Sequence, residues 1–171
     1  MKNLNFFCSR MRRLSAFGVG FVALASLVIL SQSAMAMDWN GIEPLKSRRA
    51  DVERVLGRPI ADQPGQDGTL HFKVMGGKVT VAFVNARFVQ TKKLSPELEG
   101  TVLQIVLQHE NSSETPESMR LVGNSNFERE DRQGGTIFRN LKDGIAYTFF
   151  QGKLKTTRYS PSSKQLGQAR K

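Results

Sequence analysis

Two histidines and a nearby lysine are the residues of this sequence best suited to acid–base chemistry. His71 and His109 both lie in segments with strand-like alternation, and Lys73 follows His71 by two positions. Two imidazoles and an ammonium group held in one cleft could cleave RNA by general acid–base catalysis. However, His71 alternates with Leu70 and Phe72, which points its ring away from the core face. We therefore favour separate histidines on the polar faces of strands, with a two-histidine hydrolase as the alternative.

The acidic residues are scattered, and none forms a recognisable catalytic or metal-binding pattern. Glu97 and Glu99 lie in a predicted connector, and Glu128, Glu130 and Asp131 lie in a segment without a clear period. A glycoside hydrolase needs two carboxylates held apart across a cleft, whereas charges in such segments are usually solvated. The glycines lack the spacing of a phosphate-binding loop. We therefore predict no bound metal and no nucleotide or other cofactor.

Four arginines are candidate binding residues, because they cluster on or beside a predicted helix: Arg48, Arg49, Arg54 and Arg58. The first two lie near the start of the helix, where the helix dipole disfavours cations. Such a placement would suit an acidic protein or an acidic envelope polymer as partner. A solvated helix face with internal ion pairs is the plainer interpretation of the same residues.

Trp39, the only tryptophan, is the fifth candidate binding residue. It lies in a short apolar lead-in that also contains Ile42, Pro44 and Leu45. An exposed tryptophan would be a typical anchor for a partner. We expect Trp39 to be buried in the core instead, because large aromatic side chains are seldom left in water.

The helix that carries these arginines is predicted over residues 47–57. Ser47 is a suitable N-terminal cap, and Val52, Val55 and Leu56 are spaced to form one apolar stripe. Gly57 suits the left-handed residue that ends a helix. A helix this short is unstable alone, so it is expected to pack on the strands that follow.

The rest of the chain predicts an α+β fold. An antiparallel β-sheet of five or six strands, built from hairpins, is expected to carry the short N-terminal helix on one face. Glycine-rich dipeptides supply the turns between strands. For residues 119–132 the period favours neither a helix nor a strand, and helix or irregular structure are both open. The predicted strands are residues 70–75, 78–88, 101–110, 136–140, 145–150 and 153–160.

The N-terminus has the parts of a secretory signal peptide, residues 1–36. The first 13 residues hold four cations and no acid, and an apolar stretch follows. Ala34 and Ala36 then form a small-residue cleavage site. Cys8, the only cysteine, lies before the apolar stretch, so the mature chain would contain none. Disulfides, thiolate catalysis and cysteine-bound zinc are thereby excluded from the mature chain.

Residues 37–160 are predicted to form a single domain, and residues 161–171 a disordered polar tail. No transmembrane span is expected once the signal peptide is removed. The formal net charge of +10 falls to +6 when the four cations of residues 1–36 are lost. A basic surface of this size favours anionic partners, although it also serves ordinary solubility.

Several segments resemble a family of small exported bacterial proteins of uncharacterised function. The resemblance covers most of the mature chain: W-x-G-I-x-P-L-x-S at 39–47, R-A-D-V-E-R-V-L-G-R-P at 49–59, G-T-V-L-Q-I-V at 100–106, D-G-I at 143–145 and Y-S-P-S at 159–162. The helix motif is also similar to the SmpA/OmlA (BamE-like) lipoproteins and to β-lactamase-inhibitor-like modules. These resemblances imply export and a helix-on-sheet fold that serves protein contacts. The lipidated cysteine of the SmpA-type proteins is absent here.

Taken together, the sequence predicts an exported, non-catalytic protein of the bacterial periplasm or the extracellular space. Its expected role is to bind a partner through a sheet edge or through the basic helix face. The alternative is a small secreted hydrolase of nuclease type that uses His71 or His109.

Overall fold

The computed structural model describes residues 37–60 and 68–170 of the chain. The predicted signal peptide, residues 1–36, lies outside the described residues, and so do residues 61–67 and 171. Within the described ranges, no helix is both long enough and apolar enough to cross a membrane.

Seven strands form one antiparallel sheet, in the order β1-β2-β3-β7-β6-β5-β4. The prediction of five or six strands is wrong, because residues 128–132 form an additional edge strand. That strand consists of five consecutive charged residues, so it shows none of the apolar alternation by which strands are recognised. The strands are β1 (Thr69–Val74), β2 (Gly77–Phe83), β3 (Val102–His109), β4 (Glu128–Arg132), β5 (Gly135–Asn140), β6 (Ile145–Phe150) and β7 (Lys153–Tyr159).

The sheet consists of two consecutive antiparallel groups, β1–β3 and β4–β7, joined along their central strands. In that central pair, Ile105 of β3 lies opposite Tyr159 of β7, and Leu107 lies opposite Thr157. The two groups therefore share one continuous hydrogen-bonded sheet although β3 and β7 are far apart in the sequence.

Helix α1 (Arg49–Leu56) lies over the first group of strands. Its Val52 is fully buried in a core cluster with Phe72 and Ile105. Val55, which the sequence assigned to the same stripe, is 41% exposed and therefore lies at the margin of the packed face. An eight-residue helix presents only a narrow line of side chains to the sheet, so Val55 falls outside the contact while Leu56 still packs against the core.

The start of α1 also differs from the prediction. Arg48, not Ser47, is the N-terminal flanking residue, and its backbone N–H donates to the Asp51 carboxylate at 2.9 Å. The Ser47 hydroxyl instead accepts from the backbone N–H of Glu43 at 2.9 Å, which closes the turn before the helix. Asp51 thus provides half of a capping box, since an arginine side chain has no acceptor to return the bond.

The prediction of one helix is also wrong, because the described residues contain two further α-helices and a short 3₁₀ helix. Helix α2 (Ala86–Lys92) begins after Asn85, whose side chain accepts from the Phe88 N–H at 2.8 Å. The 3₁₀ helix follows at Pro96–Leu98. The sequence predicted the strand to continue to residue 88, but the asparagine cap ends the strand and starts a helix.

The third helix, α3 (Ser163–Gln168), occupies the segment predicted to be a disordered tail. Ser162 and Gln165 form a reciprocal capping box, with bonds of 3.1 Å and 2.9 Å. The Gln165 amide also donates to the backbone oxygen of Pro44 at 3.2 Å. The tail is therefore attached to the lead-in that precedes α1.

The sheet has a covered face and an uncovered face, defined by the strand residues that point to each. The covered face packs under α1 in the first group of strands and under the segment 119–127 in the second. On the uncovered face, no described strand residue is classed as buried. Neighbouring residues of the covered face include Phe72, Val79, Leu107, Thr157, Tyr147 and Phe138, and the matching row of the uncovered face includes His71, Thr80, Val106, Arg158, Ala146 and Arg139.

Candidate functional site

A cleft of about 530 Å³ opens on the covered face, between the end of α1 and the β1–β2 turn. Its walls are mainly apolar, and His109 at the end of β3 is a titratable group among them. A concave, largely apolar site with a few polar groups is the usual form of a binding site. The apolar lining side chains are Trp39, Val55, Leu56, Val74, Met75 and Leu107.

Two of these lining residues are unusually exposed for apolar side chains. Met75 is fully exposed at the β1–β2 turn, and Val55 is 41% exposed on α1. They occupy opposite sides of the cleft, one on the helix and one on the hairpin. Large apolar side chains exposed around a concavity mark an interaction site more often than isolated ones do.

The glycines of the β1–β2 turn set the position of Met75. Gly76 adopts a positive φ of 83°, a conformation that non-glycine residues rarely take. Gly77 lies so close to β3 that an added Cβ would collide with the carbonyl oxygen of Gln108. The two glycines therefore allow a tight turn that holds the hairpin tip against the end of β3.

His109 is hydrogen-bonded across the sheet to Thr157. Its Nε2 lies 2.9 Å from the Thr157 hydroxyl oxygen, and Thr157 is only 4% exposed. Burial lowers the pKa of His109 below its ordinary value, because desolvation disfavours the charged imidazolium. The ring is therefore kept in its neutral form near neutral pH and can give or accept one hydrogen bond in the cleft.

The second histidine lies on the other face of the sheet. His71 points to the uncovered face, where its Nδ1 is 3.1 Å from the hydroxyl of Thr80, the residue directly opposite on β2. His109 shares the covered face with Leu107 and Val79. The sheet thus separates the two rings, and the two-histidine arrangement considered for RNA cleavage does not form.

Most of the candidate arginines are engaged within the protein. Arg48 donates to two backbone oxygens, those of Glu97 at 2.9 Å and Glu99 at 3.1 Å. This contact ties the start of α1 to the 3₁₀ helix. Arg48 therefore fastens two elements of the fold instead of projecting a free charge.

The arginines on α1 itself form ion pairs along the helix. Arg49 pairs with Glu53 at 2.7 Å, and Arg54 pairs with Asp51 at 2.8 Å. The Asp51 pKa is lowered, mainly by the hydrogen bond from the Arg48 backbone and also by Arg54. The helix face is thus largely neutralised by its own acids, as the plainer interpretation of the sequence expected.

The two remaining candidates differ from each other. Arg58 is exposed just after α1 and makes no ion pair with the other described residues. Trp39 is partly buried against the core cluster under α1, and it also lines the cleft. Trp39 is thereby the only one of the five candidate binding residues that the structure places in the cleft.

The acids considered for catalysis are separated or paired. Glu130 of β4 is bonded to Arg132 and Arg139, and Asp131 to Arg129 and Thr136, and these bonds lower the pKa of both carboxyls. No group of three metal-ligating side chains occurs among residues 37–60 and 68–170. Sequence reasoning missed Met75 and Thr157 as site residues; a large apolar residue beside a Gly-Gly turn was the available sign for Met75.

Comparison with known proteins adds little to this geometry. No protein-family profile and no curated protein matches the chain. A similar solved structure is that of a DUF4309 family protein (YjgB) from Bacillus subtilis, with 13% identity and a TM-score of 0.48 over 74% of this chain and 88% of that one.

Proposed function

We propose that this chain is an exported, non-catalytic binding protein that holds an apolar group of its partner in the cleft beside α1. The observation that carries the proposal is the exposure of Met75 and Val55 on opposite sides of an apolar cleft. Burying apolar surface there would favour binding by about 25 cal/mol per Å². The partner is a protein or an envelope component that presents an apolar side chain or segment.

The surroundings of His109 support binding over catalysis. A histidine base usually needs a nucleophile that substrate can reach and a third group that orients the ring. Thr157, its hydrogen-bonded neighbour, is buried in the sheet, and His71 lies on the opposite face. We assign His109 the role of a neutral polar contact in a site whose walls are mainly apolar.

The location follows from the first 36 residues. Their cations, apolar stretch and small-residue end support export and removal of this segment, giving a chain that begins at Met37. We propose the periplasm or the extracellular space as the place where the cleft meets its partner. The intact mass of the protein recovered from outside the cytoplasm tests this point.

The cleft proposal can be tested by fluorescence, because the only tryptophan of the chain lines the site. N-acetylated leucine and phenylalanine amides and short apolar peptides should cause a saturable change in Trp39 emission. A Met75→Ser/Val55→Ser variant should weaken the affinity for these probes by about 30-fold, since each change removes on the order of 1 kcal/mol of apolar contact. A flat titration of the unmodified chain by all probes would contradict the proposal.

A matched control uses exposed apolar residues that do not line the cleft. Val122 is 52% exposed and Leu141 is 59% exposed. A Val122→Ser/Leu141→Ser variant should respond like the unmodified chain. An equal loss of response in both double variants would mean that the probes bind exposed apolar surface without selecting the cleft.

A small secreted hydrolase is the second candidate function, favoured by the single hydrogen bond between His109 and Thr157. Turnover of RNA, peptide or glycan substrates by the purified chain, abolished by His109→Ala and by Thr157→Val, would establish it. We expect no turnover. A cleft that binds probes without turning over substrates is the result that the binding proposal requires.

A further inference from the structure

We propose that the uncovered face of the sheet binds an acidic carbohydrate polymer, at a surface that adjoins the cleft at Lys78 and Gln108. This basic surface is defined by Lys73, Lys78, Arg158 and Lys153, which all project from strands onto that face. All four are exposed, and none of them makes an ion pair with another described residue.

The strands that carry the basic surface contain no acid at all. Neither aspartate nor glutamate occurs in β1, β2, β3, β6 or β7, and the acids of the sheet are confined to the edge strand β4. There, Glu130 is already bonded to Arg132 and Arg139. Lys73, Lys78, Lys153 and Arg158 therefore have no acidic residue within the strands that carry them.

Lys73 and Lys78 make the clearest case for an external anion. They lie directly opposite each other on β1 and β2. Like charges in directly opposed positions destabilise a strand pair. An anionic group bound between them would remove that repulsion, and neither lysine makes an ion pair with another described residue.

The spacing of the charges suits an extended polymer. Lys78 lies opposite Gln108 of β3, Gln108 lies opposite Thr156 of β7, and Arg158 follows two residues later. With strands about 4.8 Å apart and about 3.4 Å per residue, Lys78 and Arg158 are about 12 Å apart at their Cα atoms. Cationic groups distributed over three strands in this way match successive acidic groups along one extended chain.

The side chains between the cations favour carbohydrate over nucleic acid. Thr80, Gln108, Thr148 and Thr156 are neutral hydrogen-bonding groups that match sugar hydroxyls. Single-stranded nucleic acids are typically held by several aromatic side chains that stack on bases. The basic surface has one exposed aromatic residue near it, Phe150, opposite Lys153. We therefore commit to a base-free polymer that carries carboxylate or phosphate groups.

The test compares two variants that lose the same charge. The first is Lys73→Gln/Lys78→Gln/Arg158→Gln, on the basic surface. The control, Arg87→Gln/Lys92→Gln/Lys142→Gln, removes three exposed cations from α2 and from the turn before β6. Thermal unfolding midpoints no lower than that of the unmodified chain establish that each variant is folded.

Binding to polygalacturonate is measured at several salt concentrations, with neutral dextran, a single-stranded oligonucleotide and anionic lipid vesicles as further probes. We expect salt-sensitive binding of polygalacturonate, weakened at least tenfold in the first variant and less than threefold in the control. Dextran should not bind. Equal weakening in both variants would overturn the proposal, because it would mean that net charge alone drives binding. Tighter binding of the oligonucleotide or the vesicles than of polygalacturonate would also overturn it and would assign the face to that other class of partner.

Discussion

The two faces of the sheet are built from the same strands, yet they carry opposite kinds of residue. On β1, Phe72 is fully buried under α1, while its neighbours His71 and Lys73 point to the uncovered face. Because side chains point alternately to the two faces along each strand, one face supplies the stabilising core and the other is exposed to solvent and to partners. Substitutions on the two faces should differ greatly in their effects, and four experiments test that contrast.

The largest difference in the free energy of unfolding is expected between substitutions at two adjacent residues of β1. Phe72→Ala should lower the free energy of unfolding by about 3–5 kcal/mol, because it leaves a cavity in the core. Lys73→Ala, one position along on the uncovered face, should change it by less than about 0.5 kcal/mol. Urea denaturation of the two variants measures both values. Similar losses would mean that both faces are packed.

The next contrast tests which side of α1 faces the sheet. Val52→Asp should cost at least about 3 kcal/mol, because it buries a charge without a partner. Val55→Asp should cost less than about 1 kcal/mol, since a side chain that is 41% exposed can keep a carboxylate in water. Chemical denaturation distinguishes them. A larger cost at Val55 would mean that the helix is rotated relative to the structure.

A smaller loss of stability is expected when the polar contacts at the start of α1 are removed. Arg48→Gln removes two hydrogen bonds to the carbonyls of Glu97 and Glu99 and should cost about 1–2 kcal/mol. Arg49→Gln removes an exposed pair with Glu53 and should cost less than about 0.5 kcal/mol. Thermal unfolding compares the two. Equal losses of stability in the two variants would mean that the Arg48 side chain is solvated, like that of Arg49.

The smallest expected effect is a pH dependence of stability that arises from His109 on the covered face. Because burial lowers the pKa of His109, the unfolded chain takes up a proton more readily than the folded chain as the pH falls below the ordinary value of 6.5. Stability from this group is therefore complete above that value and decreases below it, until the folded form is protonated too. His109→Gln should flatten the decrease between about pH 6.5 and 5, measured by denaturation at each pH.

The contribution of His109 can be distinguished in two ways from the other contributions to the pH dependence of stability. The lowered carboxyl pKa values of Asp51, Glu130 and Asp131 start from ordinary values of 3.8 to 4.5, so their contributions are lost at lower pH. His71→Gln is the matched control, and it should keep the decrease because His109 is still present. A slope that disappears with His71 instead would contradict the assignment.

The sequence predicted those elements whose residues alternate and missed those defined by local hydrogen bonds. The α+β class and the antiparallel sheet follow from runs such as Val79, Val81 and Phe83. Strand β4 was missed because its pairing with β5, across the Gln133–Gly134 turn, leaves no apolar signature. Helices α2 and α3 were missed although Asn85 and Ser162 are good caps, because residues 84–88 continue the apolar pattern of a strand and residues 161–171 have the polar composition of a disordered tail.

The candidate site was less predictable than the fold. The spacing of Arg49 with Glu53 and of Asp51 with Arg54 already allowed helical ion pairs, and these formed. The cleft depends on residues from the lead-in, α1, the β1–β2 turn and β3, which only the tertiary fold brings together. The separation of the two histidines required the strand registers, because a shift of one residue would reverse the face of either ring.

The attachment of α3 to the lead-in also has a consequence for the order of folding. The Gln165 contacts with Glu43 and Pro44 join residues 122 and 121 positions apart. They can form only after nearly the whole chain has been synthesised, and the β3–β7 pairing likewise waits for the last strand. Contacts of such large sequence separation slow folding. The complete sheet and its contact with α3 therefore form only after β7 and α3 have been synthesised, although the pairing of β1, β2 and β3 does not depend on them.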